Sequence, residues 1–408
     1  MKVSVSKRSF DVEVNLPGSK SESNRALMIC YYGGFSPEIQ CLSHADDTVL
    51  LQKVLSGLKC GTSVIDCGNA GSVCRFVLTA LAMRDTDTLL TGSERMFKRP
   101  IGGLVKVLMS LGSDISYCKS EGFLPLSVRG GTLRGGEVSV DVSESSQFVS
   151  SIMLAAPMLN GGLKIHLEGL ISSLPYIDMT AEVMRRYGAK VERVGREVVV
   201  HGEPYTNCRY SVEPDWSAAS YWFEAVALSR GGRALLKNLD TDTSQGDSVL
   251  TDIFSGLGVS SRMCEGGLLI ENNGAPLDSV FRFDFSDNPD LFPAVAVTCA
   301  GLQVEAVFEG LRNLSIKESD RTTVMMEELS KIGVEMERCS ADRLIIKPLS
   351  SLPYFTDERA VVFDSHDDHR IAMALAPLSL KIGSVEITNA EAVSKSYPDY
   401  FDELSKLV

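Results

Sequence analysis

The chain contains no Cys-x-x-Cys pair, no Gly-x-x-x-x-Gly-Lys-Ser/Thr loop, no basic excess and no long apolar run free of charges. Each absence closes off a class of function. The ten cysteines are scattered from Cys30 to Cys339. That scatter suits neither a disulfide framework nor a zinc site, and buried free thiols are the expectation. The one close histidine spacing, His366-x-x-His369, lies in an acidic, turn-like run and offers fewer ligands than zinc takes, so no metal is expected. A net charge of −13 argues against a nucleic-acid partner, because phosphate backbones reward a basic surface. It does not argue against a small anion, since a few local cations dominate a single cleft. The longest uncharged stretches, after Gln147 and after Asp290, are broken by Pro, Gly or Asn. They fall short of the ~20 apolar residues a membrane span needs. The opening Met1-Lys2-Val3-Ser4-Val5-Ser6-Lys7-Arg8 has no apolar segment of the kind a secretory signal carries.

With 408 residues, 44% hydrophobic and 23% charged, the chain is long enough for two domains with their own cores. One phrase recurs in it. Leu111-Gly112-Ser113-Asp114-Ile115, Tyr187-Gly188-Ala189-Lys190-Val191, Leu257-Gly258-Val259 and Ile332-Gly333-Val334-Glu335-Met336 each end an amphipathic stretch on a large apolar residue, then Gly, then alternation. That pattern predicts a helix stopped by Gly and feeding a strand. The four glycines lie 70 to 76 residues apart, a period that suggests duplicated subdomains. Ser56-Gly57-Leu58-Lys59 reads as an earlier copy, with Lys59 in the glycine place.

A second phrase alternates with the first. Gly18-Ser19-Lys20, Gly68-Asn69-Ala70-Gly71, Ser143-Glu144-Ser145-Ser146, Pro214-Asp215-Trp216-Ser217, Asp287-Asn288-Pro289-Asp290 and Asp367-Asp368-His369-Arg370 each precede an Ala-rich apolar run. Capping residues or Pro ahead of such a run mark a helix start, and a helix apolar on every side is buried. Alternation in Glu192-Arg193-Val194 through Val200 and in Leu344-Ile345-Ile346 predicts strands. The coarse result is an α+β chain of six units, each with one buried helix, one amphipathic helix and a few strands.

The six helix starts gather free backbone N–H groups, which favour anions. Lys20, Arg75, Arg321 and Arg370 lie beside or within such starts in an otherwise acidic chain. Any one of them alone reads as well as a solvated surface charge. Lys317-Glu318-Ser319-Asp320-Arg321 places two cations and two carboxylates ahead of a helix expected over 322–332. It reads either as an acidic first turn favoured by the helix dipole or as a proton-transfer pair with Arg321 reserved for an anion. Arg370 enters an all-apolar helix, where an unpaired charge is costly, so it needs an anion from the protein or from a ligand.

Seven segments in order, Leu16-Pro17-Gly18-Ser19-Lys20 through Arg25-Ala26-Leu27, Gly68-Asn69-Ala70-Gly71-Ser72, Arg99-Pro100-Ile101, Ser145-Ser146-Gln147-Phe148, Lys317-Glu318-Ser319-Asp320-Arg321, Asp368-His369-Arg370 and Lys395-Ser396-Tyr397-Pro398-Asp399, resemble the 5-enolpyruvylshikimate-3-phosphate synthases. The resemblance implies a two-domain fold of six βαβαββ-type units. One domain would comprise 1–18 and 213–408 and the other 19–212, with the active site in the cleft between them. It also implies the joining of phosphoenolpyruvate to the 5-hydroxyl of shikimate 3-phosphate, with release of phosphate and no metal or organic cofactor. By motif, Lys20, Ser21, Arg25, Ser145, Ser146, Gln147, Ser173, Tyr176, Asp290, Asn313 and Lys317 correspond to shikimate 3-phosphate contacts. Lys20, Gly71, Arg99, Gln147, Arg321, Arg370 and Lys395 correspond to phosphoenolpyruvate contacts. Asp290 and Glu318, with Lys20 and Lys317, are the expected catalytic groups. A cytoplasmic monomer without nucleic-acid or membrane partners is expected.

Two positions depart from the family pattern: Phe76 follows Arg75 where many members carry Pro, and Leu174 precedes Pro175-Tyr176 where Lys is common. The first leaves glyphosate sensitivity open, because it lies on the helix behind Gly71. Two other readings share these features. One is the related transferase acting on UDP-N-acetylglucosamine, and the other is a non-catalytic anion-binding protein that need not keep Asp290 or Glu318.

Overall fold

The computed structural model describes residues 1–4, 9–274 and 279–407. Part of the opening segment tested above for a signal, Val5-Ser6-Lys7-Arg8, lies outside them. Two compact units form: Ser19–Val212, and Met1–Gly18 together with Glu213–Val408. Among the described residues no helix is long and apolar enough to cross a membrane.

The Ser19–Val212 unit contains α1 (Lys20–Gly33), α2 (Asp46–Lys59), α3 (Gly71–Ala82), α4 (Gly102–Ser110), α5 (Ser146–Ala155) and α6 (Leu174–Arg186). In one repeat, strand Gly136–Asp141 leads through α5 to a parallel partner, Leu163–Glu168, and through α6 to the hairpin Val191–Val194 and Glu197–Val200. Parallel neighbours need a long crossover and antiparallel ones a short turn, which this order provides. Along Leu163–Glu168 the inward residues are Leu163, Ile165 and Leu167, with Lys164, His166 and Glu168 outward, so one face packs on helices and the other meets water. Val64–Asp66, Asp87–Thr91, Asp114–Tyr117 and Leu126–Arg129 repeat the pattern around α3 and α4.

The other unit holds α7 (Trp216–Leu228), α8 (Leu250–Gly256), α9 (Phe292–Leu302), α10 (Arg321–Ser330) and α11 (His369–Leu375). Four-stranded sheets flank α7 with α8 and α9 with α10. The first of these sheets takes its outer strand, Asp11–Val14, from before the Ser19–Val212 excursion. Among the described residues two of the six repeats are reduced: one sheet is Ile39–Gln40 beside Tyr210–Ser211, and another has three strands, with Lys2–Val3 in place of a hairpin.

Each unit has its own core. Phe285 shows the density: fully buried, with its ring 4.8 to 5.7 Å from those of Phe283, Phe292 and Phe308. Phe285→Ala would cost about 3–5 kcal/mol.

The glycine phrases mark what they predicted. Gly112, Gly188 and Gly258 have φ of 113°, 82° and 86° just past α4, α6 and α8, which end at Ser110, Arg186 and Gly256, and Gly333 has φ of 84° past α10, which ends at Ser330. The proposed earlier copy is corrected: Lys59 is the last residue of α2, and the left-handed place falls two residues later on Gly61, φ 80°. A Cβ resists that conformation, so the helix runs on to the next glycine. The helix expected over 322–332 runs instead over Arg321–Ser330. Arg321 therefore opens an amphipathic helix and lies outside the six buried starts. The cysteine expectation also needs correction. All ten are free, yet only Cys30, Cys67, Cys74 and Cys299 are buried, while Cys41, Cys60, Cys118 and Cys339 are exposed.

Candidate active site

In the Ser19–Val212 unit the starts of α1, α3 and α5 come together. Asn24 Nδ2 donates to Ser72 Oγ at 3.0 Å and Arg25 Nη2 to Ser150 Oγ at 3.3 Å. Contacts between early turns require helices that run the same way. Ser19 caps α1 through the N–H of Glu22, and Ser145 caps α5 through that of Gln147. The start at Gly71 has no capping side chain. There the Arg99 guanidinium lies against the glycine: a Cβ would sit 2.8 Å from Nη2 and 3.0 Å from Cζ. Only glycine admits that approach, and a cation is thereby fixed over a helix N-terminus.

Lys20 opens α1 and donates to Asp47 Oδ2 at 3.2 Å. Asp47, buried in the first turn of α2, was not singled out by the sequence reading. Its only signal was an acid in a helix's first turn, which capping explains as well. Ser21 follows Lys20 on α1, and Ser146 is buried beside Gln147 at the start of α5. Arg25 faces inward, donating to Thr180 Oγ1, Ser21 O, Ser150 Oγ and Tyr176 O. Burial lowers its pKa to about 10. The departure at Phe76 has a use here, since its ring lies 5.7 Å from the Arg25 guanidinium carbon. Ser173, at φ 57°, turns the chain into α6, which brings Tyr176 under Arg25. Arg75 points at Met96 and Pro100 O, one turn inside α3.

In the other unit the charged residues form one cluster. Asp290 lies on the single 3-10 turn Pro289–Leu291 that leads into α9. Its Oδ1 accepts from Arg321 Nη1 at 2.8 Å and its Oδ2 from Arg370 Nη2 at 2.7 Å, with Lys317 Nζ 3.7 Å away. Arg321, buried at the start of α10, also reaches Glu318 Oε2 at 3.1 Å and Asp368 Oδ2 at 2.9 Å. Lys395 Nζ is 3.7 Å from Glu318 Oε1. Asn313 lies on the short helix Arg312–Ile316 that precedes Lys317. The open question about Arg370 is answered: its anion is the protein's own Asp290. Arg321, for its part, is held by three carboxylates.

Burial alone would raise the Asp290 pKa, but Arg370, Lys317 and Arg321 outweigh it and hold the carboxyl well below its usual range. Burial likewise opposes charge on Arg321, and Asp368, Asp290 and Glu318 more than compensate. Four cations (Lys317, Arg321, Arg370, Lys395) face three carboxylates (Asp290, Glu318, Asp368). Partly buried arginines and lysines gathered in this way suit an entering anion.

Behind this cluster lies a carboxylate the sequence did not flag. Asp247 accepts from Ser217 Oγ at the start of α7 and from Asn288 Nδ2 at 3.0 Å. These bonds tie the starts of α7 and α9, as Arg370 ties those of α9 and α11. Burial, then the nearby Asp290, push the Asp247 carboxyl up to about 6. Of the close histidines, His366 bonds Glu328 and His369 is buried in the first turn of α11.

The family model described as EPSP synthase (3-phosphoshikimate 1-carboxyvinyltransferase) matches residues 59–404. A 3-phosphoshikimate 1-carboxyvinyltransferase of Bacteroides fragilis is 37% identical over 96% of this chain and 94% of its own length. One of Vibrio campbellii is 32% identical over 97% and 96%. An EPSP synthase structure from Acinetobacter baumannii shares the fold, with a TM-score of 0.77 at 22% identity over 100% of this chain and 97% of that one. The order of the repeats, the cationic helix starts and these matches agree, and the chain belongs to the EPSP synthase family.

Proposed function

We propose that the chain transfers the enolpyruvyl group of phosphoenolpyruvate to the 5-hydroxyl of shikimate 3-phosphate, with the two units as separate domains whose helix starts together hold the substrates. It is, as its family is, a 3-phosphoshikimate 1-carboxyvinyltransferase of the shikimate pathway. The observation that carries the assignment of roles is the cluster around Asp290, where two arginines and a lysine converge on one carboxylate.

In this reading Lys20, Ser21, Arg25, Ser145, Ser146, Gln147, Ser173, Tyr176, Asp290, Asn313 and Lys317 take shikimate 3-phosphate. Lys20, Gly71, Arg99, Gln147, Arg321, Arg370 and Lys395 take phosphoenolpyruvate. Asp290 removes the proton of the 5-hydroxyl, whose oxygen bonds to the substituted vinyl carbon. Glu318, beside Lys317, delivers a proton to the methylene. The tetrahedral adduct then loses phosphate and gives that proton back, which restores the vinyl group. The cations hold the departing phosphate and the charge that develops on it.

The cage around Asp290 has a role in this sequence. It keeps the carboxylate ionised but weakly basic. An entering phosphoenolpyruvate competes for Arg321 and Arg370, and each contact it takes from Asp290 returns basicity to that group. The base is strengthened when phosphoenolpyruvate, which the deprotonated hydroxyl is to attack, has arrived. The chain works as a cytoplasmic monomer in this reading.

The test is phosphate release from phosphoenolpyruvate by the purified protein, with and without shikimate 3-phosphate. Release only with that acceptor supports the reading. Release only with UDP-N-acetylglucosamine would replace it with the related transferase, and binding of both ligands without turnover would make the chain a binding protein.

A further inference from the structure

The turn that delivers Arg370 is held in an uncommon conformation. His366 and Asp367, neither of them glycine, have φ of 51° and 56° in succession. Non-glycine residues enter this region singly and at a cost, and they stay there when their surroundings fix them. Asp368 and Arg370 follow directly. A small relaxation of the turn therefore moves both the carboxylate that orients Arg321 and the guanidinium itself.

Asp364 Oδ1 and Ser365 Oγ hold the turn locally, accepting from the backbone N–H groups of His366 and Asp367 at 2.8 and 3.2 Å, and one residue outside the charge cluster ties it to α10. Glu328 lies on α10, seven residues after Arg321, which is two helical turns and the same face. It is 2% exposed. Its Oε2 accepts from the Asp364 backbone N–H at 2.8 Å and from Lys331 Nζ at 2.6 Å. Its Oε1 meets His366 Nε2 at 3.1 Å. Lys331 also donates to Val362 O at 3.1 Å, on the strand that enters the turn. Arg321 grips the far end of the same turn through Asp368. One face of α10 thus clamps residues 364–368 at both ends.

We propose that Glu328 is a positioning residue for the anion-binding arginines, acting through the strained turn at His366 and Asp367. The inference rests on the reading of Arg321 and Arg370 as phosphoenolpyruvate contacts. The carboxylate accepts at both oxygens and carries the charge that Lys331 pairs with. A glutamine amide is neutral and has one acceptor oxygen, so its N–H faces either His366 Nε2, which must then take the other tautomer, or the Asp364 N–H.

The experiment is steady-state kinetics on the full chain for Glu328→Gln and His366→Ala, with Arg370→Gln alongside. The His366 ring is a third exposed, so its truncation keeps the question open if Glu328→Gln does not fold. The expected result is a KM for phosphoenolpyruvate raised roughly tenfold by Glu328→Gln and less by His366→Ala, with KM for shikimate 3-phosphate within about twofold of the parent. Adding His366→Gly to Glu328→Gln should recover most of the loss, because glycine adopts the left-handed turn without a clamp. An unchanged KM in the folded variants, an equal loss for both substrates, or no recovery with glycine each overturns the proposal. If Arg370→Gln itself leaves KM for phosphoenolpyruvate unmoved, the underlying site assignment fails instead.

Discussion

Arg370 Nη2 donates to Asp290 Oδ2 across 2.7 Å, joining residues eighty apart in sequence. The bond occupies a cation assigned to substrate and a carboxylate assigned to proton transfer. Replacing Asp290 should therefore separate binding from chemistry. Asp290→Asn is expected to lower turnover by about 10²–10⁴-fold, the usual weight of a general base. It should bind phosphoenolpyruvate at least as tightly as the parent, since an internal competitor has been neutralised. Calorimetry beside phosphate-release kinetics reads both. Near-normal turnover in both folded Asp290→Asn and folded Glu318→Gln would remove the proton-transfer roles given to these residues.

Gly71→Ala places a methyl group 2.8 Å from Arg99 Nη2. The guanidinium must move, and the anion contact at the start of α3 weakens. We expect KM for phosphoenolpyruvate to rise on the order of tenfold, about 1.4 kcal/mol of lost contact. KM for shikimate 3-phosphate and the melting temperature should hardly change. A parental KM for phosphoenolpyruvate would show that Arg99 yields without loss.

Asp247 sets a pH dependence of stability. Its folded pKa of about 6 stands above the ~3.9 of an unfolded aspartate, so the folded chain holds an extra proton between these values. The stability linked to that proton is complete below about pH 4 and is lost as pH rises through about 6, about 3 kcal/mol in all. Asp247→Asn should therefore melt several degrees above the parent near neutral pH, with the gap closing toward acid. A gap that stays constant from acid to neutral pH would remove Asp247 as its source.

The thiols divide by access. Cys41, Cys60, Cys118 and Cys339 should react with a disulfide reagent within the mixing phase. Cys30, Cys67, Cys74 and Cys299 should wait for denaturant, with Cys208 and Cys264 between them. Burial also pushes the Cys30 and Cys299 thiols up, away from the reactive thiolate. Labelling followed by peptide mass spectrometry identifies each class.

Local physics made much of the fold legible. A left-handed residue after a helix is most often glycine, so Gly112, Gly188, Gly258 and Gly333 could be read directly, while Gln303, left-handed after α9, could not. The misplacement at Lys59 came from taking the residue after the apolar Leu58 as the glycine place, when the left-handed residue is Gly61. The reduced repeats were not readable, because strands of two residues such as Ile39–Gln40 and Tyr210–Ser211 have no alternation to detect. Site composition was legible where a charge entered an apolar helix, as at Arg370. Its pairing was not, since Asp290, Asp47 and Glu328 find their cations through tertiary contacts that leave no spacing in sequence.

The strand Asp11–Val14 pairs with Arg233–Lys237, and Gly18 bridges Pro214 where the chain returns. On the ribosome this strand emerges long before its partner. At typical elongation rates of about 5–20 residues per second, the intervening segment takes on the order of ten to forty seconds to appear. Ser19–Val212 has by then been synthesised in full and is free to fold, while the earlier strand remains an unpaired edge. A stall or truncation before residue 233 would leave a folded inner unit carrying an adhesive tail. For this chain, the order of synthesis bears on aggregation as directly as the stability of the finished fold.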